Sequence, residues 1–258
     1  MKNRLGRNEG GYCGERIDIQ AVLSEIHELA RQLDWQPQKI CSDDDLIINA
    51  YVRPGSSSSH CFYISSGIHG DEPAGPLAVL EMFRQKLWPI DLGLWVVPCL
   101  NPVGCALGTR NNGQGIDLNR HYRQPVARET ISHIHWLQSC PRFDCSVLLH
   151  EDWEANGYYL YELNGVDGNS LSHQIIEAVG QLCQIHADGP VDDWRSSGGV
   201  IRPSIDPIQR PEWPEAIFLL EQKTRRNYTL EAPSDFELPL RVASHISALR
   251  TVLLNSPS

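Results

Sequence analysis

Ser65-Ser66-Gly67-Ile68-His69-Gly70-Asp71-Glu72 is the stretch on which the fold of this chain turns. The apolar run before it, Cys61-Phe62-Tyr63-Ile64, reads as a buried strand that ends in small residues and Gly67. A histidine and a glutamate follow three positions apart, and Pro73 sits where a helix would begin. Strand, tight turn and helix start are the way an open α/β sheet presents side chains to a ligand. His69 and Glu72 offer an imidazole nitrogen and a carboxylate oxygen, donors that Zn2+ accepts. Two such donors hold a metal loosely, so the pair asks for a distant third.

Working upstream, Leu46 to Val52 reads as a strand, and Pro54 to Ser59 as a hairpin turn into the strand before His69. Val22, Ile26, Leu29 and Leu33 fall at helical spacing within Ile17–Leu33. Residues 1–16 carry four glycines and little apolar content, and are expected to pack loosely, leaving 17–258 as one domain.

Downstream, a helix is expected over Pro73–Trp88, a strand over Leu94–Pro98 and a polar, glycine-punctuated loop over Gly108–Tyr122. A helix over 126–139 follows, with Ile131, Ile134 and Leu137 inward, then an apolar strand Cys145–Leu149 ending in His150. Tyr158–Leu163 reads as a strand and Leu171–Cys183 as a helix. Residues 187–215 are rich in Gly, Pro, Asp and Trp without clear periodicity, and a loop this long inside a compact domain is usually functional or disordered. Ala216–Leu220 and Tyr228–Leu230 read as strands, and Leu238–Leu254 as a closing helix. Strands alternating with helices predict an α/β domain whose mostly parallel sheet carries helices on both faces.

The chain has 258 residues, 41% of them hydrophobic and 21% charged, the balance of a soluble globular protein. A net charge of −10 disfavours a general nucleic-acid or anionic-membrane binder, which needs a positive surface. The charged opening has no apolar run behind it, and no stretch approaches a membrane span, so a cytoplasmic protein is expected. The eight cysteines are scattered and none form Cys-x-x-Cys, which favours free thiols over a disulfide framework.

Four apolar runs end in reactive polar groups: His69 with Glu72, the Arg110–Arg120 loop, His150, and Glu231. Residues just past the carboxyl ends of strands share one crevice in an open α/β sheet, which makes His150 the natural third ligand. Three protein ligands leave zinc a fourth position for water, as catalysis requires. Taken singly each signal is weak. A His and a Glu three apart recur by chance, and a strand-end histidine is more often simply hydrogen-bonded. Arg110 and Arg120 alone read as solvated loop charges, and Glu231 as a surface carboxylate.

His69-Gly70-Asp71-Glu72, Asn101-Pro102-x-Gly104, Arg110, Gly115-Ile116-Asp117-Leu118-Asn119-Arg120, Leu149-His150 and Thr229-Leu230-Glu231 occur in the order seen in the zinc carboxypeptidase family. The resemblance spans about residues 60–235, and the segment Asn101–Arg110 resembles the small bacterial cytoplasmic branch that includes murein peptide amidases. It implies a single α/β domain with a mixed, mostly parallel eight-stranded sheet. It also implies one Zn2+ ion held by His69, Glu72 and His150, and Glu231 as the general base that deprotonates the water on zinc and then protonates the leaving amine. Arg110 would stabilise the oxyanion, and Asn119 with Arg120 would bind the substrate's free carboxylate. Asp117 would accept a hydrogen bond from the far ring nitrogen of His69.

The chain departs from that pattern in two places. Family members often carry an acidic residue just ahead of the third ligand, where this chain has Ser146, Val147, Leu148 and Leu149. The secreted members carry a mobile tyrosine ahead of the catalytic glutamate, and residues 190–222 contain none. Trp194, Arg202 or Trp213 is expected to line the pocket instead, with Tyr158, Tyr159 and Tyr161 packing the core and its edge.

The leading expectation is therefore a metallocarboxypeptidase-like hydrolase acting on small peptides with a free C-terminal carboxylate. The alternative is the related deacylase branch, resembling succinylglutamate desuccinylase and aspartoacylase, which cleaves N-acyl amino acids. Those enzymes add a β-rich domain after the glutamate, whereas the 27 residues after Glu231 read as one helix. A catalytically silent zinc- or peptide-binding protein is the third reading, and a substituted Glu231 or Arg110 would have pointed to it.

Overall fold

The structure is a computed structural model that describes residues 15–43, 46–55, 60–164, 170–191, 194–203 and 210–255. In chain order it runs α1 (Ile19–Gln32), β1 (Gln36–Asp43), β2 (Leu46–Arg53), β3 (Cys61–Ser66), α2 (Ala74–Arg84), β4 (Gly93–Val97) and α3 (Pro102–Leu107). It continues with α4 (Arg128–Ser139), β5 (Cys145–Asp152), β6 (Tyr159–Asn164), α5 (Ser172–Gly180), β7 (Gly189–Val191), β8 (Trp194–Ser196) and β9 (Val200–Ile201). α6 (Glu215–Gln222), β10 (Arg226–Pro233) and α7 (Leu238–Asn255) close it.

Eight strands form one mixed sheet in the order β1-β2-β4-β3-β5-β10-β6-β9, and β7 pairs with β8 apart from it. The central run β4-β3-β5-β10 is parallel throughout. Such strands are covered on both faces and read as unbroken apolar runs, which is why Cys145–Leu149 and Leu94–Val97 were legible. The pleat splits each run between two cores. Phe62, Ile64, Val147, Leu149 and Leu230 turn toward α1, α2, α5 and α7. Tyr63, Leu148 and Val97 turn the other way, onto Trp136, Leu137, Phe218 and Leu219 of α4 and α6.

Two expected elements differ. Ala216–Leu220, expected as a strand, is part of the helix α6. A short apolar run cannot be told from a buried helix by periodicity, and Pro214 ahead of an acidic first turn starts a helix here. On α4, Ile131 is exposed while Thr130, His133, Trp136 and Leu137 are buried, so the inward face is turned from the one the apolar spacing indicated. The loop expected over 187–215 contributes β7, β8 and β9, and its residues 192–193 and 204–209 lie outside the described residues. Residues 1–14 and most of the expected Pro54–Ser59 turn also lie outside them. Among the described residues no helix is long and apolar enough to cross a membrane.

Candidate metal centre and active-site cavity

β3 delivers the first two candidate ligands. After Ser66 the chain turns at Gly67, whose φ of 62° suits glycine. Asn101 then pins the turn, its N–H donating to the Gly67 carbonyl at 2.8 Å and its Nδ2 to the Ile68 carbonyl at 3.2 Å. Gly70 passes so close to α3 that a Cβ there would lie 2.0 Å from the Gly104 carbonyl carbon. That close approach fixes where His69 and Glu72 stand. β5 is the parallel neighbour of β3, with Ser66 opposite Leu149, so His150 emerges beside them.

The three side chains meet. His69 Nδ1 lies 2.6 Å from Glu72 Oε1, and His150 Nδ1 lies 3.0 Å from Glu72 Oε2. All three are buried, and one donor atom from each falls within 4.8 Å of the others. Burial opposes the charge on Glu72, but His69 and His150 outweigh it and hold the carboxyl well below its ordinary range. Burial likewise works against protonation of His69, and Glu72 and Asp117 together raise it. Two imidazole nitrogens and a carboxylate, buried and convergent, are a donor set that fits Zn2+ and leaves it an open position.

Asp117 sits on the far side of His69, its Oδ1 3.3 Å from Nε2 but off the line of a good hydrogen bond. The same carboxylate accepts from Asn119 N at 3.0 Å and from Arg110 Nε at 3.1 Å. Arg110 is thereby held with Nη1 3.7 Å from Glu72 Oε1, at the edge of the donor cluster. Asn119 accepts on Oδ1 from the Glu215 N–H at 2.8 Å, which leaves its Nδ2 as the donor for the cavity it lines. Arg120 lines the same cavity, 43% exposed, with Glu212 3.8 Å away.

Glu231 completes the group. It lies on β10 directly opposite His150 of β5 and faces a cavity of about 1010 Å³. Burial lifts its carboxyl well above the ordinary value, Glu72 and Asp152 adding to the effect while His150 and Arg110 oppose it. The structure thus gathers His69, Glu72, Arg110, Asn119, Arg120, His150 and Glu231 around one cavity, with Asp117 behind His69. Trp194 and Arg202 line it as well, together with Tyr159 and Tyr161, which were expected only to pack the core and its edge. Trp213 stacks instead under the Arg123 guanidinium.

Two acidic residues escaped the sequence reading. Glu215, first residue of α6, accepts on its carboxylate from the hydroxyls of Tyr63 and Ser65, and Tyr63 continues through His133 to Tyr122. Glu151, one residue past His150, meets the start of α2 and Arg241 of α7. Neither carries a motif. Their partners come from distant strands and helices, and only the fold brings them together.

No family model matches the chain. Over 85 residues, 33% of this chain, it is 34% identical to murein peptide amidase A of Escherichia coli K12. Over 153 residues, half of this chain, it is 30% identical to carboxypeptidase SOL1 of Arabidopsis thaliana. These matches span 35% and 29% of the two relatives' own lengths. A solved structure from Shewanella amazonensis, provisionally described as a metallopeptidase, superposes with a TM-score of 0.80 at 28% identity, covering 93% of this chain and 94% of that one. In fold and sequence the chain is similar to the zinc carboxypeptidase-like metallopeptidases.

Proposed function

We propose that this chain is a zinc-dependent hydrolase of the metallocarboxypeptidase type, cutting the amide bond next to a C-terminal residue with a free carboxylate. The observation that carries the reading is the meeting, around one cavity, of a buried His-Glu-His donor set with a carboxyl of raised pKa and an exposed arginine. His69, Glu72 and His150 would hold one Zn2+, which when bound polarises the scissile carbonyl and makes water acidic enough to attack at neutral pH.

The remaining work falls to the chain itself. Arg120 grips the terminal carboxylate through its fork and Asn119 donates through Nδ2, which sets the scissile bond next to the donor cluster. Glu231 takes a proton from the attacking water as its oxygen bonds to the carbonyl carbon. It returns that proton to the amide nitrogen as the C–N bond breaks, releasing an amine and a new carboxylate. Its desolvated carboxyl suits both halves, because it holds a proton more readily than a solvated glutamate. Arg110, fixed by Asp117, faces the charge that builds on the carbonyl oxygen.

Two of the relatives are named as a peptide amidase and a carboxypeptidase, which supports a peptide as the substrate class. Dialysis against a chelator tests the reading. Hydrolysis of a short peptide should vanish with the metal and return with one equivalent of Zn2+, and hydrolysis that survives complete metal removal would refute it.

A further inference from the structure

His150 and Glu151 are consecutive on β5, so the pleat sends them to opposite faces of the sheet. His150 turns to the cavity. Glu151 turns, with Leu149, toward α2 and α7.

Helix α2 needs a partner at that end. Its N-cap position is Pro73, which offers no side-chain acceptor, and the first N–H groups of a helix have no partner within it. Glu151 supplies one from another strand, its Oε1 accepting the Ala74 N–H at 2.6 Å. A carboxylate at this end also meets the positive pole of the helix. The second oxygen, Oε2, accepts from Nη1 of Arg241, whose Nη2 reaches Glu15. Neither the Glu151 nor the Arg241 side chain has any exposure. Ala74 stands two residues after Glu72, and Glu151 one residue after His150. One carboxylate therefore ties together the two backbone segments that carry Glu72 and His150.

We infer that Glu151, charge-balanced by Arg241, is a positioning residue for the metal centre: it caps α2 from β5 and so sets the separation of Glu72 and His150. The inference rests on the metal reading proposed above. Arg241 belongs to the device because a buried carboxylate without a counter-charge is costly. A pair that merely held α7 on the sheet would lower fold stability yet leave metal affinity in the folded protein unchanged.

The readouts are the zinc affinity of the folded protein, by competition with a chromogenic chelator, and the visible spectrum of the Co2+-substituted protein, which reports ligand geometry. The double variant Glu151→Ala/Arg241→Met removes the cap together with its fully buried counter-charge, and the Glu15 carboxylate that Arg241 also reaches is partly exposed to water. It is expected to weaken zinc binding about 10- to 100-fold, the usual effect of losing a group that orients metal ligands, and to shift the Co2+ bands. Glu151→Gln/Arg241→Met keeps an acceptor for the Ala74 N–H and is expected to restore affinity to within about threefold of the parent. Arg241→Lys serves if the alanine variant does not fold. An ammonium cannot grip Glu151 and Glu15 as a fork does, and a weakening of about threefold or more is expected. Parental affinity and an unshifted spectrum in the folded alanine variant, or in Arg241→Lys in its place, would overturn the inference. A parent protein that binds no zinc would instead overturn the metal reading, and that is measured before any variant.

Discussion

Glu231 stands opposite His150 across the parallel pair β5–β10. Adjacent strands lie about 4.8 Å apart, so this register alone places the carboxyl proposed as the base beside an imidazole of the candidate donor set without help from any loop. Thr229 and Leu148 repeat the relationship one step deeper, on the same face of the sheet. The chemistry of the site is thus written into the strand register, and loops add Arg110, Asn119 and Arg120 around it.

Replacing Glu231 by Gln keeps the shape and hydrogen-bonding capacity of the side chain but removes the base. The variant is expected to bind one zinc, by metal analysis, while kcat falls by about 10²- to 10⁴-fold. Parental turnover in a zinc-loaded Glu231→Gln protein would remove the general base from the account.

His150→Ala takes away one of the three candidate donors and leaves Glu72 with His69 as its one imidazole neighbour. Zinc content after dialysis should drop from one equivalent to a small fraction, because two donors hold the ion weakly. Full occupancy in this variant would mean that the third ligand lies elsewhere.

The role given to Arg120 separates binding from chemistry. Arg120→Ala should raise KM for peptides with a free terminal carboxylate by about tenfold or more, the worth of a charge-assisted bidentate contact. It should change little for amidated peptides. An equal loss on both would contradict carboxylate binding by this residue.

Glu215 gives the metal-free protein a stability signature in pH. Burial pushes its carboxyl up to about 7 from an ordinary 4.5, against the hydrogen bonds of Tyr63 and Ser65. Between those values the folded state binds more protons than the unfolded chain. The contribution is therefore fully present below pH 4.5 and is lost as pH rises through 7. Its size is on the order of 3 kcal/mol. Urea unfolding at pH 5 and pH 8 should show that much more loss in the parent than in Glu215→Gln, and an equal pH dependence would show that Glu215 does not titrate in this window.

Much of this architecture was legible because buried parallel strands announce themselves as continuous apolar runs, and their ends carry the reactive residues. His69, Glu72 and His150 could be grouped from strand endings alone. The edge strand β1 went unread because six of its eight residues, from Gln36 to Asp43, keep some exposure and only Ile40 and Cys41 are buried. α6 reads as a strand in the sequence because Ala216–Leu220 is apolar at every position, sharing a core with Trp136 and Leu137 of α4 on one side and lining the cavity on the other. Glu151 and Glu215 look like ordinary surface acids in the sequence. Their surroundings are made by Ala74, Arg241, Tyr63 and Ser65, all remote in the chain, and composition gives no hint of such meetings.

Cleavage of a terminal amide next to a free carboxylate is the chemistry proposed for the cavity. The most direct measurement is mass spectrometry of products after the zinc-loaded protein meets short peptides, a murein tripeptide among them, each with a free and an amidated C-terminus. N-acetylaspartate and N-succinylglutamate are included alongside. Release of the C-terminal residue from the free-acid peptides is expected, abolished by amidation. Cleavage of the acylated amino acids alone, with every peptide left intact, would contradict it.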